Sequence, residues 1–199
     1  LDLSRTKSGL KNLKKARESF VNEQGAYSHA AASASFYIGK THVALRRYKT
    51  AADHFLEALA GFENVGPASL ESELITRAYL VQAYESLDMS DAATEHCLAI
   101  GAKNMMSPDQ DYQPLFRVAP EYPVQLLSRL EEGYVNLAFT VDANGFVQDP
   151  VPIDRQGNSA FERSAIKAVQ RFQYAPQFEN GEPVAVNDVR TRFNFKISD

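Results

Sequence analysis

The stretch GYVNLAFTVDANG, residues 133–145, decides how this chain is read. Val135, Leu137, Phe139 and Val141 fall on one side of an extended backbone and Tyr134, Asn136, Ala138 and Thr140 on the other, the period-two pattern of a strand with one buried face. Asp142-Ala143-Asn144-Gly145 follows. Because Asn and Gly tolerate positive φ, those four residues predict a hairpin turn and a return strand over Phe146–Ile153. Pro150 and Pro152 lie inside the return strand and cannot donate to a ladder, so its end belongs at an edge or is irregular.

Downstream, Ser159 and Glu162 stand three apart and predict a capping box. The helix behind it buries Phe161, Ala165, Ala168, Val169 and Phe172 against the sheet. A turn at Asn180-Gly181 leads to a last strand, in which Val189, Thr191, Phe193, Phe195 and Ile197 alternate with Arg190, Arg192, Asn194 and Lys196. Upstream, Tyr122-Pro123 opens a short helix over Val124–Leu130, with Pro123 where a missing N–H costs nothing. Three strands and one helix leave two sheet edges with free backbone groups, to which partner strands add readily. Arg190, Arg192 and Lys196 on the last strand have two readings: they deter self-association, or they select an acidic or polar peptide.

The first half is different. From Ser4 to Lys103 the chain is rich in Ala and Leu and broken near Gln24-Gly25, Arg46-Arg47, Val65-Gly66-Pro67 and Asp88-Met89-Ser90. These breaks predict five helices, each about five or six turns long. Ser35, Ile38, Gly39 and His42, then Tyr48, Ala51, Phe55 and Ala58, set small residues against large ones, as closely crossing antiparallel helices require. A second copy runs Leu80, Val81, Tyr84, Leu87, Ala93, Cys97 and Ile100, and a half-copy, Ala16 to Phe20, precedes the first. The pattern resembles the tetratricopeptide repeat without its usual tryptophan. The resemblance implies a concave protein-binding face along the first helix of each pair, here Ser33, Phe36, Lys40, Val43, Ile75, Ala78, Gln82 and Glu85. Asn104–Leu115, with two prolines and no apolar periodicity, reads as a linker.

Composition narrows the function. A net charge of −4 spread along 199 residues offers no broad basic face to nucleic acid. The opening segment is the local exception: Arg5, Lys7, Lys11, Lys14, Lys15 and Arg17 face only Asp2, a pattern suited to anionic lipid, to an acidic protein or to a solvated helix. One cysteine, Cys97, excludes an internal disulfide. His29, His42, His54 and His96 lack metal-ligand spacing, and neither a phosphate loop nor a nucleophile with a base is present. The expectation is a binding protein, not an enzyme, with no metal or cofactor. No segment has the roughly 20 apolar residues of a membrane span.

Taken in order, Pro120-Glu121-Tyr122-Pro123, Glu132-Gly133, Phe139-Thr140-Val141 with Asn144-Gly145, and Phe161-Glu162-Arg163 leading to Arg171-Phe172-Gln173-Tyr174-Ala175-Pro176 resemble the carboxy-terminal domain of the TonB energy-transducer family. Ala119 stands where that family usually has glutamine, and Phe172 where tryptophan is usual. The expected architecture is therefore α+β in two domains. A helical-hairpin array (1–103) and a linker (104–116) precede a TonB-like domain (117–199), a three-stranded antiparallel sheet packed on helices.

The resemblance implies a periplasmic domain that takes the TonB-box peptide of an outer-membrane receptor as an added strand, supporting energy-dependent transport. The implied contacts are Arg117, Val118, Ala119, Pro120 and Tyr122, with Arg190, Thr191, Arg192, Phe193, Asn194 and Phe195 on the last strand. Coupling through the ExbB and ExbD proteins would need an inner-membrane anchor upstream of Leu1. The array would dock another protein. A periplasmic scaffold that binds through both modules and transduces no energy is the alternative.

Overall fold

A computed structural model describes residues 3–103 and 112–197, with side chains from Thr6 onward. The first and larger part of the expected linker, 104–111, lies outside them, as do Asp2 and the side chain of Arg5. The backbone divides into two compact units, residues 1–96 and 97–199.

The first unit is built from α1 (Leu3–Gln24), α2 (His29–Ala44), α3 (Tyr48–Val65) and α4 (Leu70–Glu85), and α5 (Ser90–Lys103) begins in it. The breaks fall where the turn signals place them. The expected length holds for α1 and α3, at 22 and 18 residues. The others are shorter, at 16, 16 and 14 residues, because their turns take more of the chain. Ser28 caps α2, its hydroxyl accepting from the Ala31 amide at 3.2 Å. Two turns share one geometry. Arg46 and Asp88 both sit at φ 56°, letting the amides of Arg47 and Met89 reach back to the carbonyls of His42 and Tyr84.

The small-against-large pairing is real. A Cβ built on Gly39 would lie 2.6 Å from the Phe55 ring, and one on Gly61 2.6 Å from the Ala32 methyl, so both glycines mark close approach of α2 to α3. Phe55, Ala51, Leu59, Leu80 and Ala83 form the buried centre, with Phe36 and Tyr79 packed on it. A polar knot ties α1 to the next two helices: Arg17 meets Ser35 Oγ at 2.6 Å and Glu57 at 3.1 Å. Arg17 therefore does not belong to an unopposed basic run.

The second unit holds α6 (Val124–Leu127), β1 (Gly133–Val141), β2 (Val147–Gln156), α7 (Ala160–Val169), β3 (Gln177–Glu179), β4 (Glu182–Val184) and β5 (Val186–Phe195). The main sheet is antiparallel in the order β2-β1-β5, so the opening stretch of the sequence is its central strand. Val135, Leu137, Phe139 and Val141 are buried with Phe161, Ala165, Val169, Phe172, Phe193 and Phe195.

Local details depart from expectation in instructive ways. Only Gly145 takes positive φ in the hairpin turn; Asp142 completes it by accepting from the amides of Asn144 and Phe146. Ser159 makes no capping bond, and Asn158 Oδ1 takes the Ala160 amide at 3.0 Å in its place. Glu162 turns instead to Arg155, 2.7 Å away. The expected Val124–Leu130 helix stops at Leu127, since Leu130 turns to φ 56° and the Glu131 amide reaches the Leu126 carbonyl. Asn180-Gly181 closes a separate two-stranded hairpin, β3–β4, which the pattern of so short a segment does not announce.

Candidate functional site

The site begins with what β1 does to its neighbours. It pairs on one side with β2 and on the other with β5, over Gly133↔Phe195 to Phe139↔Val189 without a shift. Both outer strands are edges, but unequal ones. β2 shows register shifts near Pro150 and Pro152, and Asp149 lies at φ 49°. β5 contains no proline, and its irregularity is confined to its start, between the partners of Phe139 and Val141. Among the described residues no strand pairs with the outer side of β5.

Along β5, Val189, Phe193 and Phe195 are buried and Thr191 is half-buried, while Arg190, Arg192 and Asn194 project to the face not covered by α7. The guanidinium of Arg192 lies 3.8 Å from the centre of the Tyr134 ring and donates to Asn194 Oδ1 at 3.0 Å. Tyr134 and Asn136 both donate to Asp154 Oδ2, each at 3.1 Å, and the hydrogen bond to that carboxylate raises the Tyr134 pKa. Arg190 makes a forked pair with Asp188, which holds that carboxyl below its ordinary value. Tyr134 and Asp154 were not among the sequence candidates. The outward register of Tyr134 opposite Asn194 is the signal that could have found them.

The segment before Tyr122-Pro123 is tied at both ends. Phe116 exchanges backbone hydrogen bonds with Gln173, and the Glu121 carbonyl accepts from Ser164 of α7. Tyr122 donates to the Glu131 carbonyl and presents its ring edge to Phe161 and Phe195, at 5.6 and 5.8 Å. Tyr122 is thus the sequence candidate that reaches β5. Arg117 and Ala119 are exposed and Val118 and Pro120 half-buried, with no hydrogen bond or ring contact to β5 among the described residues. Arg117 donates to Gln113.

In the helical unit, Phe36 and Lys40 do share a surface. The ammonium of Lys40 lies 5.6 Å from the Phe36 ring and 5.5 Å from that of Tyr79. Ile75 is 43% exposed, Ser33, Val43, Ala78 and Gln82 are half-buried, and Val43 packs on the core. Glu85 is buried and accepts from Ser90 Oγ, so it does not line an open face. No helix among the described residues is long and apolar enough to cross a membrane.

A helix-backed three-stranded antiparallel sheet is a small α+β fold. Residues 118–197 match the family model of the Gram-negative bacterial TonB protein C-terminal region. It is 29% identical over 89 residues to Protein TonB of Pseudomonas aeruginosa, an alignment covering 45% of this chain and 26% of that protein. The chain thus spans about a quarter of that relative's length.

Two solved structures resemble the same region. The solution structure of the P. aeruginosa TonB carboxy-terminal domain is 28% identical with a TM-score of 0.40, covering 46% of this chain and 92% of that one. The tonb2 protein from Vibrio anguillarum is 34% identical with a TM-score of 0.36, covering 47% and 89%. At these TM-scores the assignment rests on the sequence match.

Proposed function

We propose that the second unit works in the periplasm and takes the TonB-box peptide of an outer-membrane receptor as a fourth strand beside β5, in support of energy-dependent transport. The family match supports the transport role, and the regular, proline-free outer edge of β5 is the observation that carries the binding mode. The backbone ladder resists a pull along the peptide because all its hydrogen bonds are loaded together.

Magnitudes say what else is needed. A strand of about five residues forms about five backbone bonds worth about 1 kcal/mol each. That falls short of the roughly 8 kcal/mol of a micromolar complex. Side chains must supply the difference, and Arg190, Thr191, Arg192 and Asn194 are placed to select the peptide, with Tyr122, Phe193 and Phe195 fixing the strand from beneath. Arg117, Val118, Ala119 and Pro120 approach the receptor from the tethered segment. The helical unit docks a second protein on the surface around Lys40, and coupling to ExbB and ExbD follows if the protein carries an anchor.

Titrating the isotope-labelled chain with a synthetic TonB-box peptide tests the reading. Amide shifts centred on 189–195 are expected. Shifts centred on 147–156, or none at millimolar peptide, would overturn it.

A further inference from the structure

The basic run of α1 is left unused by the receptor-peptide reading. Lys7, Lys11, Lys14 and Lys15 are exposed and spaced i, i+4, i+7, i+8, which sets them in one stripe along the helix. Arg17 is engaged by Ser35 and Glu57, but no ion pair forms to any of these four lysines among the described residues. Beside the stripe, α1 and α2 part around a groove of about 430 Å³. Leu10 and Leu13 line it from α1, Tyr37 and Ala44 from α2, and Lys40 stands on the far rim. Tyr37 is 53% exposed. Gly9 opens the groove further, since a Cβ there would meet nothing within 4 Å.

We infer that this groove binds an acidic protein segment, with apolar anchors seated over Leu10 and Leu13 and carboxylates paired to the lysine stripe. Charge complementarity selects the occupant: Lys40 lines the groove itself, and Lys7, Lys11, Lys14 and Lys15 line the adjoining hollow of α1 that shares Leu10 with it, where Glu18 is the acid among them. Recession selects a protein over a membrane. Leu10 and Leu13 are half-buried between helices and do not project, whereas an interfacial helix needs its apolar face exposed to enter lipid. Thr6 to Leu13 is about two helical turns, room for two anchors spaced i and i+4 on a helical partner. This site lies wholly in the first unit, so it stands or falls independently of β5.

The probe is a labelled helical peptide with leucines at i and i+4 and glutamates elsewhere, titrated against the full chain by fluorescence anisotropy. The native chain is expected to bind it, with affinity falling as salt rises. The triple variant Lys7→Glu, Lys11→Glu, Lys14→Glu is expected to weaken binding about tenfold or more. Gly9→Phe adds a ring at the groove wall, from a position where a Cβ meets nothing within 4 Å, and a weakening of about fivefold with helicity not reduced would place the peptide there. No binding by the native chain, or equal binding by both variants, overturns the proposal. So does lysine-dependent capture of vesicles of equal phosphatidylglycerol and phosphatidylcholine that Gly9→Phe leaves intact while the peptide stays free.

Discussion

The two units meet the demand for backbone hydrogen bonds in opposite ways. Apart from the amides of their first turns and the carbonyls of their last, α1 to α5 consume their backbone groups internally, so along their faces the helices have only side chains to offer a partner. β5 spends one side of its backbone on β1, and among the described residues no strand takes the other. A helical surface recognises charge and shape and is sensitive to single side chains. A strand edge recognises backbone, tolerates varied sequences, and is sensitive to whatever disturbs the ladder.

The largest effects should come from removing what holds each surface in place. Phe161 is fully buried between α7 and β1 and stacks on Phe195 at 4.3 Å; Phe55 is fully buried between α2 and α3. Each Phe→Ala change should cost about 3–5 kcal/mol. If the units are independent, Phe161→Ala should abolish receptor-peptide binding and spare the lysine groove, and Phe55→Ala should do the reverse. Calorimetric melting with both titrations reads this directly. Joint loss from either variant would erase the contrast between the units.

A second pair of variants isolates backbone from side chain. In an antiparallel ladder successive residues point their amides alternately at the neighbour and away, so of Thr191 and Arg192 one donates to β1 and the other outward. Proline at the inward position should cost about 3 kcal/mol in melting experiments. At the outward position it should leave melting near native yet weaken the box peptide about tenfold. Native-like affinity for both folded variants would rule out β5 as the receiving strand.

Acid should act on the helical side. His96 stacks on Tyr84 and faces Arg77, and burial together with that guanidinium pushes its pKa down to about 4. The folded unit refuses a proton that the unfolded chain accepts below about pH 6.5. The stability is therefore fully present above pH 6.5 and is lost as pH falls towards 4, by about 2 kcal/mol after allowance for the ring's remaining exposure. His42, its pKa also lowered chiefly by burial and next by His54, adds in the same direction. Denaturant titrations at pH 7 and 4.5 should show the loss, and His96→Gln should flatten it.

What the sequence disclosed follows the same divide. The alternation from Val135 to Val141 needs no partner to be legible, and of the four helix breaks three are marked by Gly25, by Gly66-Pro67 and by Asp88-Met89-Ser90. The terminal position of β5 was an inference from strand count, because strand order is a tertiary fact. Capping by Asn158 instead of Ser159 was hidden because both residue types cap equally well. The Arg17–Glu57 pair joins residues distant in sequence and changed the reading of the basic run. The stretch β3–β4 is too short, at three residues a strand, for periodicity to register.

Smaller effects sharpen the contrast between edges. Replacing Pro150 and Pro152 of β2 by valine would give that strand a continuous row of donors and should raise the sedimentation-average mass at fixed concentration. An unchanged mass would mean that its bulges, not its prolines, blunt it.

The smallest effect should be that of Arg192→Ala. Arg192 is exposed and its charge is screened, so losing it removes a stacking contact with Tyr134 and little ladder energy. Box-peptide affinity should fall by less than about threefold and vary weakly with salt, where the lysine groove responds steeply. A tenfold fall in a calorimetric titration would mean that β5 reads its partner by charge, as the helical surface does. The division between backbone and side-chain recognition would then disappear.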